Sequence, residues 1–280
     1  MTSPSSFPSI AATRRTARSG SRAYEIDGES YPSVTTILGV IAKPALVTWA
    51  ANQERTAVME AAADLYLDLV KAQPMSRTTY LATLDTRIGK TKAHQRASQK
   101  ALEIGSQAHQ MIEHQLRKAL GQTVGPEPRI VDEALWAYMA FEDWARQHEV
   151  RPVHIEQVVY SRTYRYAGTV DLLPYVAGEL APADFQTRKG AYAEYHLQTA
   201  AYRHALNEMG HGPVANAYIV RLPKVQTDPA FEAVPSPSLD VLMPVFANVI
   251  GLYHWHAAAE AASLAKWKAQ QDAKAQEAVA

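Results

Sequence analysis

Cysteine is absent from all 280 residues. That removes disulfides, cysteine zinc sites, thiolate-held iron–sulfur clusters and a thiol nucleophile from consideration. Net charge is absent too, since 28 Lys and Arg balance 28 Asp and Glu. The balance argues against a blanket basic coat for nucleic acid but leaves local clusters open. No uninterrupted apolar run reaches the roughly 18 residues of a spanning helix. The Ser/Pro-rich N-terminus also lacks the apolar stretch of a signal peptide. The chain therefore reads as soluble and cytoplasmic, with no membrane partner. What is present is ordinary: 47% hydrophobic and 20% charged residues, at a length sufficient to bury a real core.

Residues 1–22 contain Arg14, Arg15, Arg18 and Arg22 and no acid. They read as a disordered basic leader, with a basic arm touching phosphate as the less favoured reading. Residues 23–280 read as a single domain. It opens on a hairpin at 24–31 with Asp27-Gly28 at the turn, followed by a helix capped by Ser33. A helical part over 33–149 contains helices at 44–71, 89–120 and 128–149. Three strands are expected at 153–160, 164–175 and 180–185, then a helix at 192–209, a strand at 214–222 and a C-terminal helix over 238–275. This order predicts an α/β fold, with a small mixed central sheet flanked by helices and a helical N-terminal elaboration.

Two apparent motifs fail on spacing. Arg87-Ile88-Gly89-Lys90-Thr91 ends like a phosphate-binding loop, but the position that needs the first glycine holds Leu84. His109-Gln110-Met111-Ile112-Glu113-His114 is one residue off from both zinc-protease helix patterns.

A stronger constellation lies on the expected strands. Gly168-Thr169-Val170-Asp171 puts a carboxylate in the second strand, where Gly168 permits close approach of another backbone. Asp184 sits near the end of the third. Antiparallel pairing over a short connection brings Asp171 and Asp184 side by side, and such a pair suits a divalent ion with oxygen ligands, Mg²⁺ or Mn²⁺. Taken alone, each aspartate reads more often as a solvated strand end than as a ligand.

Four segments together resemble the RecB-type branch of the PD-(D/E)XK nuclease superfamily, which includes phage exonucleases, CRISPR adaptation nucleases and the mitochondrial genome maintenance exonuclease. They are Gly105-Ser106-Gln107-Ala108-His109, Gly168-Thr169-Val170-Asp171, Asp184-Phe185-Gln186 and Gln198-Thr199-Ala200-Ala201-Tyr202, in the branch's order. The opening Tyr31-Pro32-Ser33-Val34-Thr35-Thr36-Ile37-Leu38 is similar to phage members. The resemblance covers about residues 24–222 and implies a restriction-endonuclease-like αβββαβ core within 100–222. It also implies a Mg²⁺- or Mn²⁺-dependent DNA exonuclease of recombination, repair or phage DNA metabolism. His109, Asp171, Asp184 and the Phe185 carbonyl would then hold the metal. Asp171, Asp184, Gln186, Gln198 and Tyr202 would form the catalytic set, with Glu113 as a helper of His109. Glu156 reads as solvated more readily than as a site residue.

The chain departs from the branch at Gln186, where lysine is expected. Loss of one electrostatic donor of this kind costs roughly 10²–10³ in rate. Three readings stay open: a tolerated glutamine, Lys189 reaching in as a substitute, or an inactivating change made to trap a substrate complex. A nuclease-fold DNA-binding protein without catalysis is the alternative function. Lys92, Arg96 and Lys100 recur every four residues in a stretch without acids, and are read as a phosphate track for DNA, joined by Arg188 and Lys189. DNA ends or single strands are the expected partner, with a recombinase or single-strand-binding protein as a further one.

Overall fold

The computed structural model describes residues 12–16, 21–71, 75–187, 190, 192–225, 227 and 231–277. It begins with β1 (Ala12–Thr16), β2 (Arg22–Ile26) and β3 (Glu29–Pro32), an antiparallel sheet in that order. The β2–β3 turn is built as its sequence demands, with Asp27 at φ 52° and Gly28 at φ 78°, the pair of positive values a two-residue hairpin turn needs. Residues 12–16 fall inside the stretch expected to be an unstructured leader, yet they pair with β2 and tie Arg15 to Glu25. Arg22, the last residue of that leader, opens β2, and residues 1–11 and 17–20 lie outside the described residues.

Helices follow: α1 (Val34–Leu38), α2 (Pro44–Lys71), α3 (Arg77–Ile88), α4 (Ala93–Ala119) and α5 (Asp132–Gln147). Ser33 caps α1 through its hydroxyl, which accepts from the Thr36 N–H at 3.0 Å. The next elements are β4 (Arg151–Ser161), β5 (Tyr166–Val176), β6 (Glu179–Leu180), β7 (Ala183–Gln186), α6 (Ala193–Glu208), β8 (Tyr218–Arg221), β9 (Glu232–Pro235) and α7 (Leu239–Glu277). The second sheet runs β4-β5-β7-β8-β9, with β6 paired to β5. Strands β7 and β8 are parallel and joined through α6, while the other pairs are antiparallel. The fold is thus a mixed sheet flanked by helices, and α4-β4-β5-β7-α6-β8 follows the expected helix–strand–strand–strand–helix–strand order.

The sheet is covered on both sides. Val159, Val170 and Leu173 pack with α1, α6 and α7 through Ile37, Leu206 and Phe246. Ile155, Leu172 and Phe185 pack with α4 and α5 through Ile112, Phe141 and Trp144. Side chains two apart on a strand normally share a face, yet Val170 and Leu172 belong to opposite layers. The alternation breaks between them, at Asp171. On β4, Ile155 pairs with Leu172 and Gln157 with Val170. That leaves Glu156 beside Asp171, and its φ of 52° is left-handed. The break in the pleat therefore falls where the proposed chemistry is concentrated.

Candidate functional site

Phe185 anchors the site through its ring and its backbone. The ring lies 5.3 Å from that of Phe141 and 6.2 Å from that of Trp144, so burial against α5 fixes this part of β7. Its N–H donates to Asp171 Oδ2 at 2.8 Å. Its carbonyl oxygen accepts from His109 Nε2 at 3.1 Å, which assigns the ring proton to that nitrogen. His109 Nδ1 lies 3.9 Å from Asp171 Oδ2. Gly105, one turn earlier on α4, leaves room for Thr187 just after β7: a Cβ at Gly105 would stand 2.8 Å from the Thr187 hydroxyl.

Leu172 pairs with Ala183, so Asp171 and Asp184 come beside each other as expected. Asp184 is buried, at 3% exposure. Gln198 donates to Asp184 Oδ1 at 2.7 Å and to the Tyr202 hydroxyl at 3.1 Å. Gln186, at the position expected for lysine, donates its amide to Asp184 Oδ2 at 2.5 Å. Gln198 and Tyr202, four apart on α6, thus work as one unit. Tyr202 also explains Gly168, though not as the sequence suggested. The group that approaches closely is the Tyr202 ring rather than a backbone, and a Cβ at Gly168 would lie 2.4 Å from Tyr202 Cε1.

Electrostatics single out the two aspartates. Burial pushes Asp171 up to about 7, with Glu156 adding to the effect and the Phe185 N–H opposing it. Burial and the Asp171 charge push Asp184 up to about 8, against the amides of Gln186 and Gln198. Negative charge is concentrated here without an adequate counter-charge, the condition under which a cation binds well. Among the described residues, however, no three His, Asp or Glu side chains already converge as a metal cage.

Glu156 and Glu113 complete the surroundings. Both line a small pocket with His109, Asp171 and Phe185. Sequence reasoning favoured a solvated Glu156. Its place opposite Asp171 depends on strand register and a left-handed residue, and neither can be read from side-chain chemistry. Burial raises the pKa of Glu156 and the nearby Glu113 raises it further. Glu113 also accepts from Arg117 Nε at 2.8 Å.

The expected phosphate track is not brought to the site. Nine residues separate Lys100 from His109, which turns about 180° around a helix. Lys100 lies 3.5 Å from Glu133 of α5, and Arg96 donates to the carbonyls of Ile88 and Thr91. Lys92 is the N-cap of α4, far along the helix from His109. Arg188 and Lys189 lie outside the described residues.

No protein family matches the sequence, and no curated protein matches it either. Among solved structures, the "Putative exonuclease" of Eubacterium rectale is similar over 62% of this chain and 74% of its own. Identity is 14% and the TM-score 0.34. A superposition this loose says nothing of activity.

Proposed function

We propose that the chain is a divalent-metal-dependent nuclease that hydrolyses phosphodiester bonds of DNA at ends or single strands. The observation carrying this reading is the convergence of His109, Asp171 and the Phe185 carbonyl beside a second carboxylate, the buried Asp184, on the paired strands β5 and β7. The donor chemistry fits Mg²⁺ or Mn²⁺: carboxylate and carbonyl oxygens with one imidazole, and two aspartates in need of positive charge. His109, Asp171, Asp184 and the Phe185 carbonyl would hold the ion. Once bound, it supplies Lewis-acid polarisation of a phosphodiester and a more acidic water.

The protein's own residues prepare that chemistry. Phe185 orients both Asp171 and His109 through its two backbone groups. Gln198 holds Asp184 and is itself aligned by the Tyr202 hydroxyl. Gln186 hydrogen-bonds to Asp184 but brings no charge to a phosphate. Its amide occupies a carboxylate oxygen that an ion needs, and this contact favours the second reading, a DNA-binding protein of nuclease fold with impaired catalysis.

End-labelled single- and double-stranded DNA separates the two. Cleavage by the given chain that needs Mg²⁺ or Mn²⁺, stops in EDTA and disappears in Asp171→Asn supports the nuclease. Binding without any cleavage, in every metal, supports the second reading. Neither binding nor cleavage contradicts both.

A further inference from the structure

We propose that Arg14 contacts the phosphate backbone of the DNA strand at this site, so that the N-terminal sheet forms one wall of the substrate cleft. The proposal rests on the nuclease reading above and names its substrate-holding cation.

Strand pairing sets the direction of Arg14. It stands opposite Tyr24 in the β1–β2 ladder, and directly opposed residues share a face of a sheet. Tyr24 is buried, and its hydroxyl lies 2.7 Å from Thr169 Oγ1, two residues before Asp171. Tyr24, Ile26 and Tyr31 cover Ala167, Val158 and Tyr160 of the second sheet. The face carrying Arg14 is therefore the face laid over β4 and β5. Arg15, next along the strand, points the other way and pairs with Glu25.

Charge gives a second, separate argument. Glu113, Glu156, Asp171 and Asp184 offer a phosphate no positive charge, so the cleft needs a cation that is free to meet one. Among the described residues, the basic side chains that act on Glu156 are His109, Arg14 and Arg117. His109 belongs to the proposed metal set. Arg117 is held by Glu113 and by Gln122, the latter at 3.0 Å. Arg14 is exposed and forms no ion pair with a described residue. It remains available, whereas the Lys92–Arg96–Lys100 row turns away.

The test is fluorescence anisotropy of a labelled single-stranded oligonucleotide over a salt series in EDTA, where binding is read without cleavage. Arg14→Ala is expected to weaken binding about fivefold at low salt and to lower the slope of log K against log salt by about 0.7, the value for one single-strand phosphate contact. Arg14→Lys should keep most of that slope, and Arg15→Ala should match the parent. Far-UV circular dichroism checks that each variant folds. Parent-like binding by Arg14→Ala overturns the proposal and, if the parent still cleaves DNA, leaves the nuclease reading standing. An equal loss in Arg15→Ala overturns it too, by showing an effect of net charge alone. A parent that neither binds nor cleaves DNA removes both readings.

Discussion

Glu156 adopts a backbone conformation that costs a side-chain-bearing residue about 1–2 kcal/mol, and it does so beside Asp171 where the pleat reverses. Glycine adopts that conformation without the penalty. Glu156→Gly is accordingly expected to be more stable than Glu156→Ala by about 1 kcal/mol in urea denaturation. Equal stabilities would remove the strain from the account. Gly168 presents the opposite case, because its regular strand conformation is open to any residue and the obstacle is the Tyr202 ring 2.4 Å from a new Cβ. Gly168→Ala should cost about 1–3 kcal/mol by overpacking, measured as a lower urea midpoint. Strand order in the sequence pairs Asp171 with Asp184, and the family resemblance adds His109, Gln198 and Tyr202; the fold places these five together. Glu156 and the Tyr24–Thr169 contact were not legible, because they depend on which strands pair and in what register.

At the scale of elements, the β4–β5 turn shows how a helix end fixes a strand pair. Glu208, at the end of α6, accepts from the Ser161 hydroxyl at 2.6 Å and from the N–H groups of Arg162 at 2.9 Å and Thr163 at 3.0 Å. Burial raises its pKa, but these hydrogen bonds outweigh burial and hold the carboxyl below its usual range. A depressed folded-state pKa contributes stability above the unfolded pKa, and that contribution is lost as pH falls through the folded value. Glu208→Gln should therefore be less stable than the parent at pH 7, with the gap closing below about pH 4. Thermal melts across pH 3–7 measure it, and a constant gap would contradict it. Start and stop residues made α2 and α6 readable to within a residue at each end, Pro44 opening the first and Gly210 following the second. Three elements were not expected. Helix α3 buries no side chain fully, and its half-buried Tyr80, Leu84 and Ile88 make only a thin apolar stripe among threonines and charges, although Ser76 caps it. Strand β1 is mostly exposed and basic, and β9 is a four-residue edge strand; pairing with a neighbour defines both, and a sequence shows pairing only indirectly.

For the whole molecule, neutrality is a cancellation with a spatial pattern. Four carboxylates gather where β4, β5, β7 and α4 meet, while basic residues lie on β1 and along α4. No helix among the described residues is long and apolar enough to cross a membrane. Helix α7 joins the core through Met243, Phe246 and Ile250, but from His254 to Asp272 every side chain is exposed. Removal of residues 257–280 should change the unfolding free energy by less than about 0.5 kcal/mol; a larger loss in urea denaturation would give that segment a structural role. The proposed function turns on the opposite end of the burial scale, at the Asp184 carboxylate to which Gln186 donates. A lysine at 186 would place an ammonium where the amide stands, offering charge both to Asp184 and to a phosphate. The most direct measurement is the rate of Mn²⁺-dependent cleavage of linear DNA by Gln186→Lys beside the parent, with Gln186→Lys/Asp171→Asn as control. A rise of at least roughly tenfold that the control lacks is expected; a lysine variant that binds DNA yet stays as inert as its control would contradict the nuclease assignment.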